Sequence, residues 1–73
     1  MKKILVIGSN GQLGMELLAA LRKKFGSKNV ISSDINDPSE ADTYFEKLDA
    51  RDAISLTSIV EKHEINHVYH LAA

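Results

Sequence analysis

The sequence predicts an α/β protein: a parallel β-sheet with helices on its faces. Three observations lead there. Apolar runs and stretches of helical period alternate in the order β-α-β-loop-β-α-β, which suits parallel strands joined by right-handed crossovers. The first run, Ile4-Leu5-Val6-Ile7, is continuously apolar, as a strand covered on both faces should be. It leads directly into Gly8-Ser9-Asn10-Gly11-Gln12-Leu13-Gly14, a glycine-rich turn at the head of a helix. A turn of that kind presents free backbone amides to a phosphate.

The elements follow in order. Residues 3–7 form the first strand. Residues 12–25 form the first helix, with Leu13, Leu17, Leu18, Leu21 and Phe25 on the face that packs against the sheet. Arg22, Lys23 and Lys24 fall in its last turn, where cations suit the helix dipole, and Gly26 is placed to end it. Residues 29–33 form a shorter, more polar second strand that ends at Asp34. Residues 35–42 hold Pro38 and the turn formers Asn36, Asp37 and Ser39, and read as a loop with one helical turn at Ser39-Glu40-Ala41. Residues 43–48 form a third strand with Phe45 and Leu48 inward. Residues 52–63 form a second helix, capped by Asp49 or Asp52, with Leu56, Ile59, Val60 and His63 on one face. Residues 66–71 form a fourth strand centred on Val68 and Tyr69. The strand order is 3-2-1-4, which leaves the fourth strand as an edge.

Composition narrows the function classes. The chain has 73 residues, one small domain at most, and a chain that short buries roughly 60% of its unfolded surface and is marginal alone. Apolar residues make up 44% and charged residues 26%, with a net charge of −1, so no electrostatic footprint for nucleic acid or a membrane surface is present. The absence of cysteine removes disulfide and thiolate chemistry. Met1-Lys2-Lys3 precedes only four apolar residues before Gly8, too few for a signal peptide, and no run approaches the ~20 of a membrane span. A cytoplasmic protein is expected.

The glycines have distinct tasks. Gly8 permits a tight exit from the strand, Gly11 removes a side chain from the path of a pyrophosphate, and Gly14 lets the helix lie close on the sheet. Their spacing is G-x-x-G-x-x-G. Asp34 lies 20 residues beyond Gly14 at the end of the second strand, the place from which a carboxylate reaches ribose hydroxyls. Ile35 follows it, with no cation beside it, which favours NAD over NADP. Asp49-Ala50-Arg51-Asp52 closes the third strand; Asp49 serves either as a helix cap or as an acceptor for an adenine amino group on the same sheet edge. The histidines His63, His67 and His70 invite a metal reading, but no cysteine accompanies them, and His67 and His70 fall on opposite faces of a strand. No metal site is expected, and His63 is placed to pair with the helix dipole.

Four stretches carry a family resemblance: Gly8 to Gly14, Asp34, Asp49-Ala50-Arg51-Asp52 and His70-Leu71-Ala72-Ala73. Together they resemble the extended short-chain dehydrogenase/reductase family in its epimerase/dehydratase branch. Within that branch, residues 3–21 and 29–35 are most similar to the L-threonine 3-dehydrogenases of epimerase-like type. The resemblance implies that residues 1–73 are the N-terminal part of an NAD(P)-binding Rossmann domain, with the first four strands of its sheet. It implies a pyrophosphate among Gly8, Gly11 and Gly14, with the backbone amides of Gln12 and Leu13 beside it and Asn10 as a further cofactor-binding residue. Asp34 and Ile35 would hold the adenosine ribose side. Asp49 and the Ala50 amide would meet adenine, and Leu71, Ala72 and Ala73 would form the wall under the cofactor. NAD is the cofactor implied, and oxidation of a secondary hydroxyl by hydride transfer is the reaction.

The chain departs from the family in one respect. The family's catalytic pair is a tyrosine and a lysine four residues apart, but Leu48 follows Tyr44 at that distance and Ala73 follows Tyr69. No residue here is assigned a catalytic role, and this chain is expected to be inactive alone, a truncated part of a longer enzyme. Its partners are then the dinucleotide and either the rest of the parent enzyme or a second copy paired through the exposed sheet edge. Three other readings remain: a sugar-nucleotide epimerase, dehydratase or reductase; a non-catalytic dinucleotide-binding regulator; and a piece with no ligand.

Overall fold

The computed structural model describes residues 1–71; the expectations placed on Ala72 and Ala73 lie outside the described residues. The elements are β1 (Ile4–Ile7), α1 (Gln12–Phe25), a 3-10 turn (Ser27–Asn29), β2 (Val30–Asp34), β3 (Phe45–Lys47), α2 (Ala53–His63) and β4 (His67–His70). The strands form one parallel sheet in the order β3-β2-β1-β4, as the sequence predicts. Ile4 is opposite Val30 on one side and His67 on the other, and Ile7 is opposite Ser33 and His70.

β1 is the spine of the fold. Alternate side chains point to opposite faces of a strand, so its four apolar residues feed two separate cores. Ile4 and Val6 join Val30 and Leu21 of α1, with Leu17, Leu18 and Phe25 packed around them. Leu5 and Ile7 join Ile31, Leu48 and Ile59 of α2, with Leu56, Val60 and Ile65 around them. All four β1 side chains are at most 2% exposed. At about 1.5–3 kcal/mol each they contribute roughly 6–12 kcal/mol of burial, as much as the net stability of a typical domain.

β2 carries two buried serines where apolar residues would be ordinary, and each has a partner. Ser33 Oγ donates to the Val6 carbonyl at 2.8 Å. Ser32 Oγ donates to Asp42 Oδ2 at 2.7 Å, and Arg22 Nη1 donates to the same oxygen at 2.9 Å. Arg22 also donates through Nε and Nη2 to the Val30 carbonyl at 3.1 and 2.9 Å. Arg22 therefore fastens α1 to β2 and to the segment before β3, instead of serving its own helix end. Burial pushes the Asp42 carboxyl up, but bonds from Arg22, Ser32 and the Tyr44 amide more than reverse this and leave it below the usual carboxylate range.

Several expectations need correction. β3 begins at Phe45, because Asp42 draws the chain into a turn: its carboxylate accepts from Tyr44 N–H at 2.9 Å and its carbonyl from Phe45 N–H at 3.2 Å. Leu48 is buried as expected, whereas Phe45 is only half-buried. Residues 39–41 form no helical turn. Leu13 is 67% exposed: the inward line of α1 runs through Gly14, Leu17, Leu18, Leu21 and Phe25, and position 13 lies about 100° round from it. His63 pairs with Glu46 of β3, which also takes Lys62 Nζ at 2.9 Å. Asp52, not Asp49, caps α2, accepting from Ser55 N–H at 3.1 Å and from Ser55 Oγ at 2.8 Å. β4 is exposed along its whole length, as expected of an edge. Among the described residues, no helix is long and apolar enough to cross a membrane.

Candidate functional site

All four strands run the same way, so their C-terminal ends share one edge of the sheet. The chain leaves β1 between β2 and β4, the point where the order of connection reverses, and open α/β sheets bind ligands at such a point. A groove of about 450 Å³ lies there, lined by Ile7, Gly8, Gly11, Asp34, Ile35, Leu48, Asp49, Ala50, Arg51 and Leu71. A larger hollow of about 670 Å³ lies on the α1 side of the glycine-rich turn, beneath residues 37–44. Its polar floor, Arg22, Ser32 and Asp42, is already internally paired, and the smaller groove is the one at the strand ends.

The three glycines of the turn are required for different reasons. Gly8 has φ of 87°, a conformation that side chains disfavour. Its amide and that of Ser9 both donate to the Ser33 carbonyl, at 2.9 and 3.0 Å, which fixes the turn against β2. Gly14 is buried, and a Cβ there would lie 2.3 Å from the Gly8 carbonyl oxygen and 2.8 Å from Ser9 Cα. Gly11 has neither constraint. Its φ and ψ of −70° and 164° suit any residue, and a Cβ would meet only the Gly8 oxygen at 3.9 Å. Neither backbone conformation nor packing within the chain requires a glycine at 11.

Gly11 is also the N-cap of α1, so this helix start has no capping side chain and no acid in its first turn. α2 has its Asp52 cap. The amides and positive dipole end of a 14-residue helix thus open at the groove without an internal anion.

Asp34 lines the groove from the end of β2. Its Oδ2 accepts from Asn10 N–H at 3.0 Å and its Oδ1 from Asn36 N–H at 3.2 Å. A carboxylate has about four acceptor positions, so each oxygen keeps one for a ligand. Ile35 follows at 52% exposure, an apolar surface beside that acid. Asp49 is held by Arg51, with Nη2 to Oδ2 at 2.8 Å, Nε to Oδ1 at 3.1 Å and Arg51 N–H to Oδ1 at 3.0 Å. The Arg51 side chain and amide bring the Asp49 carboxyl down to about 2. Ala50 packs against the α2-side core. Leu71 donates its amide to the Ile7 carbonyl at 2.8 Å and closes the groove from the β4 side.

The structure thus brings Gly8, Gly11, Asp34, Ile35, Asp49, Ala50 and Leu71 into one groove. Gln12 and Leu13 are exposed at the start of α1, and Gly14 lies beneath the turn, where its task is packing. Asn10 does not line the groove; its side chain reaches the loop after β2. Sequence reasoning missed Ile7, Leu48 and Arg51 as lining residues. Arg51 had a legible signal, since an acid and an arginine two apart at a strand end can close a fork across a turn. Among the described residues, no group of three or more His, Cys, Asp or Glu is placed to hold a metal ion.

A parallel sheet in the order 3-2-1-4, an unfilled helix start and a strand-end acid define a nucleotide-binding α/β unit of the Rossmann type. A sequence profile described as the NAD dependent epimerase/dehydratase family matches residues 4–73. The chain belongs to that family. An uncharacterized epimerase/dehydratase of Staphylococcus saprophyticus is 36% identical over all of the chain and 24% of its own length, and one of Staphylococcus aureus is 38% identical over the same shares. The chain thus spans about a quarter of the length of the curated relatives it matches. Among solved structures, a partial consensus L-threonine 3-dehydrogenase is 47% identical with a TM-score of 0.93, covering 97% of the chain and 23% of its own. A GalE-like L-threonine dehydrogenase from Cupriavidus necator, in its holo form, is 44% identical with a TM-score of 0.91, covering 97% and 24%.

Proposed function

We propose that this chain supplies the adenosine-diphosphate-binding part of an NAD-dependent oxidoreductase that oxidises a secondary hydroxyl, of the L-threonine 3-dehydrogenase kind. The observation that carries the reading is Gly11. Backbone conformation accounts for Gly8 and packing for Gly14, whereas at 11 neither demands a glycine, and the N-cap position it fills accepts Ser, Thr, Asp or Asn as well. A pyrophosphate lying against the bare backbone at 11, under the uncapped start of α1, explains the glycine.

The remaining residues fit the rest of the dinucleotide. Asp34 accepts from the adenosine ribose hydroxyls with its free acceptor positions, while its two amide partners hold it in place. Ile35 and Ala50 offer apolar surface to the adenine, and Asp49 offers it an acceptor. When bound, the nicotinamide of NAD accepts a hydride; the described residues bind and orient the other half of the molecule. Leu71 forms part of the wall under the cofactor. The two L-threonine dehydrogenases are more than 40% identical to the chain and favour an amino-acid alcohol as substrate. The staphylococcal relatives, named epimerase/dehydratases, favour a second reading in which the substrate is a nucleotide sugar.

The experiment is a titration of NAD and NADP against the longest natural polypeptide that carries this chain, with and without Asp34→Ala. A carboxylate gains charge-assisted hydrogen bonds of about 1.5–3 kcal/mol each from hydroxyls and faces a phosphate of roughly −2 charge in NADP, so a preference for NAD of at least about tenfold is expected. Asp34→Ala removes most of that preference. Equal affinities in the unmutated protein would refute the assignment. Reduction of NAD in the presence of L-threonine, and none with nucleotide sugars, selects the first substrate class over the second.

A further inference from the structure

Asn10 sits in the middle of the glycine-rich turn, yet its side-chain and backbone donors are spent inside the protein. Side-chain Nδ2 donates to the Asn36 carbonyl at 2.8 Å and to the Asp37 carbonyl at 3.1 Å. Backbone N–H donates to Asp34 Oδ2 at 3.0 Å. Asp34 Oδ1 in turn accepts from Asn36 N–H at 3.2 Å. These bonds close a ring through Asn10, Asp34 and Asn36. Ile35, the apolar surface beside Asp34, lies within that ring. The same segment is anchored at its far end, where Asp42 meets Arg22 and Ser32. Its near end is held by Asn10; the other link there, Lys47 to Asp37 at 3.8 Å, is exposed and contributes little.

Building on the dinucleotide reading, we propose that Asn10 is a positioning residue that sets cofactor choice. By holding residues 34–37 against the turn, it keeps the Asp34 carboxylate facing the groove in the arrangement that accepts an unphosphorylated adenosine ribose and repels a 2′-phosphate. The two carbonyls converge on a single NH₂ group, so position 10 needs a donor there. Asparagine supplies it, and isosteric aspartate would set a charged oxygen against two carbonyl oxygens in a turn already bonded to Asp34.

The test uses Asn10→Asp and Asn10→Ala in the longest natural polypeptide that carries this chain. Hydrogen exchange at residues 35–37 is measured without cofactor, and NAD and NADP are titrated in parallel. Both variants should speed exchange there, Asn10→Asp more than Asn10→Ala. NAD should weaken about tenfold, the equivalent of ~1.4 kcal/mol, and NADP by less than about threefold, so that discrimination narrows. Unchanged exchange with intact NAD binding would overturn the inference and leave the groove's function standing. Faster exchange with equal losses for both cofactors would also overturn it, because a residue that only stabilises the fold weakens both alike. An unmutated protein that binds neither cofactor would overturn the dinucleotide reading itself.

Discussion

Replacing Gly14 with alanine should destabilise the protein, although alanine is the better helix former. A Cβ at 14 would lie 2.3 Å from the Gly8 oxygen and 2.8 Å from Ser9 Cα, where ordinary contact begins near 3.4 Å. Relief needs a displacement of about 1 Å, because both obstacles are backbone and cannot rotate away. Nor can the turn give easily, since Gly8 and Ser9 both donate to the Ser33 carbonyl, at 2.9 and 3.0 Å. The displacement therefore falls on α1, and it loosens Leu21 from Ile4, Val6 and Val30. Overpacking costs typically 1–3 kcal/mol, here at the upper end or above, and better helix propensity returns up to about 1 kcal/mol. A net loss of about 2 kcal/mol lowers the melting temperature of a domain this size by roughly 8–16 °C. Thermal unfolding followed by circular dichroism, with Gly11→Ala in parallel, is the assay. Gly11→Ala should melt within about 3 °C of the parent, since the loss at an N-cap and the gain from a stiffer unfolded chain are both under ~1 kcal/mol and oppose each other. A Gly14→Ala variant as stable as the parent, or a Gly11→Ala variant as damaged as Gly14→Ala, would refute the division of tasks among the glycines.

Two further outcomes follow from the same structure. The carboxyls of Asp42 and Glu46 titrate below their ordinary values in the folded chain, the first because bonds from Arg22, Ser32 and Tyr44 outweigh burial, the second because of bonds from His63 and Lys62. Their contribution is complete above the unfolded-state pKa of about 4 and is lost as pH falls through the lower folded values, so denaturant midpoints should be flat from neutrality to about pH 5 and then fall, less steeply in Asp42→Asn. The 73-residue chain by itself should form no NADH from L-threonine, since neither Tyr44 nor Tyr69 has a lysine four residues later; steady NADH production by the purified chain would contradict this.

Much of the fold was legible because β1 and its glycine turn speak a local language. Ile4 to Ile7 must be buried on both faces, which demands helices on both, and the order of elements then leaves few topologies. The place of Asp34 at the end of β2, beside the glycine turn, was legible from its distance to Gly14. What was not legible depends on partners far apart in sequence. Arg22 reads as a cation suited to its helix end, and only the folded chain shows Asp42 and Ser32 waiting for it. The start of β3 was misplaced because Asp42 bonds to Tyr44 and Phe45, a turn that competes with Thr43's preference for a strand. Leu13 was assigned inward because leucines four apart suggest one face, but Gly14 occupies the inward position of the first turn. For Asn10, which the family resemblance assigns to the cofactor, the two carbonyl partners of its side chain were not legible because they are 26 and 27 residues away.

The central claim, that Gly11 is a glycine for the sake of a bound pyrophosphate, is tested most directly by titrating NAD against the parent and Gly11→Ala in the longest natural polypeptide that carries this chain. The structure leaves room for the added methyl within the protein, with no atom closer than the Gly8 oxygen at 3.9 Å. The melting temperature without cofactor should therefore hold. NAD affinity should fall by at least about tenfold, because the methyl holds the phosphates off the amides of α1. Unchanged NAD affinity in a folded Gly11→Ala protein would contradict the account.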